Sequence, residues 1–400
     1  MLKIDGSSYS PGVLKKLMLC GGHGCSFELG AKFAQELAGI YVSGRHLRNL
    51  TVKIGGELEA ARDQQTETYT SQPLPRKATI VEPTPQLACV EVDGVRMQTR
   101  TTARGPGVHD AHWRETKIAG FFRMKTTSHA TDSHPELPRC FASREQMQGL
   151  LPGLGESPSL CDPLPPSDSE WRPEVLFRTC LASLESSEPF GLMMTVEADA
   201  RGFFAAERRA YLGDGLGYNW TIHKKHFPAF EPIVDFVHPV ERHHAAARVV
   251  HEDDDGIWSQ YVAWATAVWK GGVAEVIDEL ARHSGLLGSP PGDADECDPR
   301  RVLSDTLTYL RNNQSRIDYP RYRREGLPVT SALIESLVKE MNYRVKGSEK
   351  FWNDGPSGEA ILQVRAALLS HDDRLNQHLA NRSGCPLPPN AKNATLAIAG

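Results

Sequence analysis

The spacing of apolar positions changes character along the chain. Over residues 11–58 it is helical. In SFELGAKFAQELAG, Phe27, Ala31, Ala34, Leu37 and Ala38 recur at helical intervals, and Gly39 follows as a C-terminal stop. Ser43 is placed to cap a second helix with Leu47, Leu50 and Ile54 facing inward. Its outer face carries Arg45, His46, Arg48 and Lys53. Two short helices joined by a Gly-containing turn, the second basic, fit a helix-turn-helix; a plain helical hairpin fits equally well. The expected DNA-binding region is 1–62, with Arg45, Arg48 and Lys53 toward phosphate. Residues 63–86 are polar and contain several prolines, so they read as a linker.

Strand-like alternation begins at 87. LACVEVD is apolar and β-branched, Asp93-Gly94 is a turn signal, and VRMQTRT alternates after it. WRETKIAGFFRM follows a Gly/Pro loop, which predicts a three-strand meander. Residues 125–170 are rich in Ser, Pro and His and read as an irregular insertion. Helical patterns are expected over 173–186 and 187–208. RAYLGDG reads as a short strand ending in Asp214, and PIVDF (232–236) as another. Helices dominate from about 240 to 325, with breaks at HEDDDG and GSPPGDADECDP, giving an all-α segment over 251–325. TSALIESLVKEMNYRVKG is a further helix capped by Thr330 or Ser331, and a last one covers about 357–369. The tail from 376 reads as loose. The expected division is 1–62, linker 63–86, core 87–250, insertion 251–325, core 326–375 and tail 376–400.

Composition changes this picture little. Apolar residues are 40% and charged residues 24% of 400, enough for a real core. No apolar run approaches the roughly 20 residues a membrane span needs, and the N-terminus lacks a signal-peptide run, so a cytoplasmic protein with no membrane partner is expected. The eight cysteines form no Cys-x-x-Cys pair, so neither a disulfide framework nor a zinc site is expected. The net charge of −5 alone argues against a nucleic-acid partner, yet residues 300–350 hold 11 Lys/Arg against 6 Asp/Glu. Of these, Arg321, Arg323, Arg324, Lys339, Arg344, Lys346 and Lys350 flank one helix and are the expected phosphate contacts.

The order of acids carries the chemistry. Asp93 ends one strand, Asp214 another, and Glu335 stands early in a later, mostly apolar helix. This fits an α/β fold with an RNase H-like mixed sheet flanked by helices, an all-α insertion and an N-terminal helical, helix-turn-helix-like region. There, two acids leave the ends of adjacent central strands and a third reaches them from a helix packed on the sheet. Hard divalent ions want oxygen ligands, and two ions about 3.5–4 Å apart stabilise both oxygens of an in-line phosphoryl displacement. Taken singly, Asp93 and Asp214 read as turn residues and Glu335 as half of an i,i+4 pair with Lys339.

Three segments resemble insertion-sequence DDE transposases of the ISKra type. VEVDGVRMQTR with WRETKIAGFF is similar to their first-aspartate region. YLGDGLGYNWTIHKKHFPAFEPIVDFVHPVER is similar to the second, and IDYPRYRREGLPVTSALIESLVKEMNYRVKGSEKFW to the glutamate helix. The trailing EAILQVRAALLSHDDR also fits. The resemblance implies that Asp93, Asp214 and Glu335 hold two Mg²⁺ or Mn²⁺ ions. It further implies DNA cleavage and strand transfer, terminal inverted repeats and target DNA as partners, a homodimer in the active complex, and a bacterial, nucleoid-associated setting. A metal-dependent nuclease without strand transfer and a decayed DNA-binding copy are the alternatives.

Gly213-Asp214-Gly215-Leu216-Gly217 lacks the Lys-Ser/Thr of a phosphate loop. Asp235, inside an apolar run, is a rival metal ligand ranked behind Asp214, and His238 with Glu241 is placed to line the site. Trp258 and Trp269 are core candidates that also suit stacking on a DNA base.

Overall fold

In the computed structural model, residues 9–100, 112–147, 172–347, 350–353 and 356–382 are described. The expectations for 101–111, 148–171 and the tail beyond 382 lie outside those residues.

The chain opens with α1 (Pro11–His23), α2 (Phe27–Ala38) and α3 (Gly44–Thr70). Ser10, Ser26 and Ser43 each accept a hydrogen bond from a backbone N–H of the first turn, and Gly39 closes α2 at φ 63°. The third helix corrects one expectation: it is 27 residues long, so it takes up the first part of the expected linker. Its inward residues Leu47, Leu50 and Ile54 share a core with Val364 and Ala367 of a later helix.

The sheet begins with β1 (Leu87–Arg100) and β2 (His112–Lys125). Here the expected meander is wrong. The two segments read as separate strands are one 14-residue strand, and Asp93-Gly94 lies inside it, paired with Ile118 and Lys117 of β2. The single turns α4 (Arg139–Ala142) and α5 (Arg144–Met147) follow, then β3 (Glu174–Ser183), a strand where a helix was expected. Its inner half is buried on both faces, so apolar residues run together instead of alternating, and such a run does not distinguish strand from helix. Next come α6 (Ser187–Ala200), β4 (Arg208–Gly213), α7 (Gly217–His226), β5 (Glu231–Val234) and α8 (Val237–Val250). The segment 251–325 holds α9 (Asp254–Trp269), α10 (Val273–Leu287), α11 (Pro299–Asn313) and α12 (Tyr319–Arg324), with no strand among its described residues. The chain returns through α13 (Ala332–Val345), β6 (Trp352–Asn353), α14 (Pro356–Leu369) and α15 (Arg374–Asn381). That last helix stands where a loose tail was expected, held by Arg382 and His378 on Glu57.

The sheet order is β3-β2-β1-β4-β5, with β6 added to the far end of β1. The first three strands are antiparallel neighbours; β4 and β5 run parallel to β1. Alternation on β2 and β3 sorts the two faces. Ile118, Cys180 and Ala182 pack with Ile334, Leu337 and Met341 of α13 and Ile361 and Leu362 of α14. Ala119, Phe121 and Leu181 pack with Phe190 and Met194 of α6 in the other core. The protein is thus a mixed α/β sheet covered by helices on both faces. Among the described residues, no helix is long and apolar enough to cross a membrane.

Candidate active site

Strand register aligns the acids. Glu91 of β1 lies opposite Leu212 of β4, and Leu212 opposite Ile233 of β5. Two residues further on stand Asp93, inside β1, and Asp214 and Asp235, each just past the end of its strand. Pairing between β1 and β4 ends at Glu91 and Leu212, while β1 continues. The open edge left there makes room for a cleft, so Asp93 stands at the end of a ladder without standing at the end of a strand.

Helix α13 brings the third acid. The first N–H groups of any helix lack partners within it, and here two buried carboxylates take them. Asp235, fully buried, accepts from Ser331 N at 3.0 Å and Val237 N at 3.1 Å, and its second oxygen accepts from Ser331 Oγ. Glu91, also fully buried, accepts from Ile334 N at 3.0 Å. Each acid accepts a backbone N–H at this helix start, and together the two fix the start of α13 beside β1 and the end of β5. Glu335, the next residue, is thereby delivered to the cleft. Asp235 was weighed as a metal ligand; its bonds make it the lock on this helix instead.

The cleft has a volume of about 250 Å³ and is lined by Asp93, Asp214, His238, Glu241, Ser331, Glu335 and Lys339 among others. All three predicted acids meet there, with Lys339 and His238. Like charges and burial show in the titration. Burial pushes Glu335 up to about 7, with Asp235 adding to the rise and Lys339 opposing it. Burial and then the Asp214 charge raise Asp93. Glu91 is carried by burial up to about 8. Burial alone would lower His238; its hydrogen bond to Glu241 and the charges of Asp235, Glu241 and Asp214 outweigh that and take it to about 9. The imidazolium is therefore the positive partner of an acidic cluster at neutral pH.

The predicted phosphate contacts divide. Lys339 lines the cleft and Lys346 is exposed on the same helix. Arg323 and Arg344 are corrections. The Arg323 side chain is 1% exposed, pairs with Asp132, donates to Trp269 O at 3.0 Å and lies over the Trp269 ring. Arg344 is 2% exposed, donates to Gly21 O at 2.9 Å and sits between Phe27 and Trp352. Both guanidiniums tie elements together and are closed to phosphate. Arg321 is engaged by Glu231, Asp318 and Glu325, Arg324 is half-buried, and Lys350 bonds Tyr343 O. Arg45, Arg48 and Lys53 lie on α3, and none lines the cleft. Trp269 takes the core role expected of it: it is fully buried against Phe236 and Tyr319, which closes it to a base, whereas Trp258 is half-buried under Arg144.

Sequence reasoning missed four residues. Glu91 carries the signal of period two, two positions before Asp93 on the same strand face. Asn219 donates to Asp214 Oδ1 at 2.8 Å, one turn into α7, and Leu216 N shares that oxygen at 2.8 Å. Tyr218 stands close enough to Gly94 that a Cβ there would be 3.3 Å from its hydroxyl. Tyr309, from α11, donates to Asp214 O at 2.9 Å. Nothing local announces Tyr309, because its partner is 95 residues away.

The donor set suits a hard divalent cation. It is oxygen only, and among the described residues Asp93 Oδ2, Asp214 Oδ2 and the Glu335 carboxylate have no hydrogen-bond partner. The expected two-ion centre is not preformed, however. Among the described residues no three Asp, Glu, His or Cys side chains close on a single point that could hold a metal. Asp93 and Asp214 each turn one oxygen to a nearby N–H, Asp93 to Gly94 N at 2.6 Å. Because Glu335 titrates near 7, a cation that needs its carboxylate displaces a proton below that pH. Affinity for Mn²⁺, measured calorimetrically, is expected to rise about tenfold per pH unit up to pH 7 and then level off; Glu335→Gln should flatten that slope. An equal slope in both proteins would exclude Glu335 as a ligand. No protein-family model matches the chain, and no curated protein matches it.

Proposed function

We propose that this chain is a divalent-metal-dependent DNA transposase with an RNase H-like catalytic core, cutting phosphodiester bonds at the ends of an insertion element and joining the freed 3′-OH to target DNA. The observation that carries the reading is that Asp93, Asp214 and Glu335 line one cleft, the two aspartates two residues beyond a matched pair on adjacent parallel strands and the glutamate in the first turn of a helix. The strand order β3-β2-β1-β4-β5 is what such a core requires, because it makes the strands carrying the two aspartates neighbours.

Asp93, Asp214 and Glu335 would hold the ions. Bound Mg²⁺ or Mn²⁺ supplies neutralisation of the phosphate charge and an acidified water or hydroxyl. The chain's own part is to orient and to balance charge. Glu91 and Asp235 hold the helix that presents Glu335, Asn219 and Leu216 N hold one oxygen of Asp214, and the His238 cation offsets the acids between ion-binding events. Lys339 stands at the rim, positioned for a phosphate oxygen.

The test is to incubate the protein with duplex DNA carrying the element's ends, with Mg²⁺, Mn²⁺ or a chelator, and with ends pre-cut to expose a 3′-OH. Metal-dependent nicking together with joining of pre-cut ends is the expected outcome. Nicking without joining makes the protein a nuclease of the same site. No metal-dependent chemistry on any of these substrates sinks the reading.

A further inference from the structure

We infer that Arg242, held over the Tyr309 ring beside the carboxylate cleft, is a binding site for a DNA-strand phosphate neighbouring the one that is cut. The inference rests on the proposed function for the identity of the strand, and on the following geometry for the site.

A second depression of about 390 Å³ is lined by Leu216, Arg242, His244, Ala245 and Arg248, and it shares Asp214, His238 and Glu241 with the acid cleft. The two are therefore one continuous trough whose lining changes from acids to cations along α8. Arg242 and Arg248 are six residues apart, about 9 Å along a helix. That length spans two or three phosphates of a strand rising about 3.4 Å per nucleotide, more than one free phosphate fills.

Arg242 is built for an anion. Its guanidinium carbon stands 4.2 Å from the centre of the Tyr309 ring, and among the described residues no carboxylate pairs with it. With the ring holding its carbon and no carboxylate taking its donors, the guanidinium has N–H groups to offer a phosphate, which its planar fork can grip through two parallel bonds. Contact with the ring also removes part of the ordering cost of binding.

Tyr309 couples this cation to the acids. Its hydroxyl donates to Asp214 O at 2.9 Å, and its ring fills the space beside Gly215, where a Cβ would stand 2.5 Å from Tyr309 Cε2. Gly215 has φ +91°, a conformation that favours glycine. One residue of the α-helical segment thus touches both the loop that carries Asp214 and the Arg242 guanidinium. A single ring links the acids to the phosphate grip.

The experiment uses the full chain and fluorescein-labelled single- and double-stranded oligonucleotides in EDTA, with anisotropy followed across a NaCl series. Arg242→Gln is expected to weaken binding about tenfold at low salt and to reduce the salt slope by about 0.7–0.9, one phosphate contact. Arg242→Lys should restore the slope but only part of the affinity, because the fork is lost. Mn²⁺ affinity should be unchanged in both. Unchanged DNA affinity and slope in Arg242→Gln overturn the inference. So does a loss confined to inorganic phosphate, which would mark a free-anion site, and so does a parallel loss of Mn²⁺ affinity, which would make Arg242 a prop for Asp214. Arg242-dependent binding without any cleavage overturns the proposed function and leaves this site standing; an unaltered protein that binds no DNA overturns both.

Discussion

Asp214→Asn is expected to reduce metal-dependent DNA cleavage by about three orders of magnitude or more, roughly 4 kcal/mol of transition-state stabilisation, while the folded protein becomes slightly more stable. The two halves of that result have one cause. Asn keeps the side-chain oxygen that accepts from Leu216 N and Asn219, so the loop survives. It removes a charge that raises the Asp93 pKa, so repulsion in the cleft falls. Glu335→Gln should behave alike. Its carboxyl is raised to about 7, so ionising it above that pH works against the fold; the glutamine variant escapes this, and its advantage grows as pH rises from the unfolded value through 7. Stability won where activity is lost is the mark of a site held under strain for its chemistry. Urea unfolding and cleavage rates measured on the same preparations decide it. Full cleavage by Asp214→Asn removes the aspartate from the mechanism, and destabilisation of both variants makes these acids structural.

His243→Leu should stabilise the protein by about 1–3 kcal/mol at neutral pH, the cost of leaving buried polar atoms without partners. His243 is fully buried on α8 against Trp264, and neither ring nitrogen has a hydrogen-bond partner among the described residues. Burial takes its pKa down to about 3. A histidine lowered in the folded state binds its proton first in the unfolded chain. Stability is therefore flat above the unfolded value of about 6.5 and falls as the pH drops below it. The loss reaches about 3 kcal/mol by pH 4 at 1.4 kcal/mol per pH unit. His243→Leu should remove that part of the acid sensitivity. Unfolding curves at pH 7 and pH 4.5 test it: an equal pH dependence in the two proteins would show that the ring is solvated or paired.

The parts of this architecture that the sequence made legible are those with local causes. The Ser43 cap, the Gly39 stop and the short strand before Asp235 each depend on neighbours within a few residues. The three acids that line the cleft were picked out by their order along the chain and by the segments around them. What failed depended on distant partners. Asp93-Gly94 has the composition of a turn, and only thirteen residues of continuous pairing with β2 hold it straight. Arg323 and Arg344 look like surface charge in a basic stretch until Asp132 and the Trp269 ring, or the carbonyl of Gly21, are placed beside them. Glu91 and Asp235 sat in apolar runs, and their partners on α13 are 243 and 96 residues away.

The packing of α3 on α14 bears on how such a chain is assembled from parts. Gly55 meets the backbone of Ala360 so closely that a Cβ there would lie 2.1 Å from its carbonyl oxygen, and Leu47, Leu50 and Ile54 complete the same layer. The amino-terminal helices are thus not a detachable module carried on a tether. They are the back wall of the helix layer whose front covers the sheet, so α1 to α3 and the last described helices share one core. Any nucleic acid gripped at that end is held at a fixed distance and angle from the carboxylates, with no linker to absorb the difference.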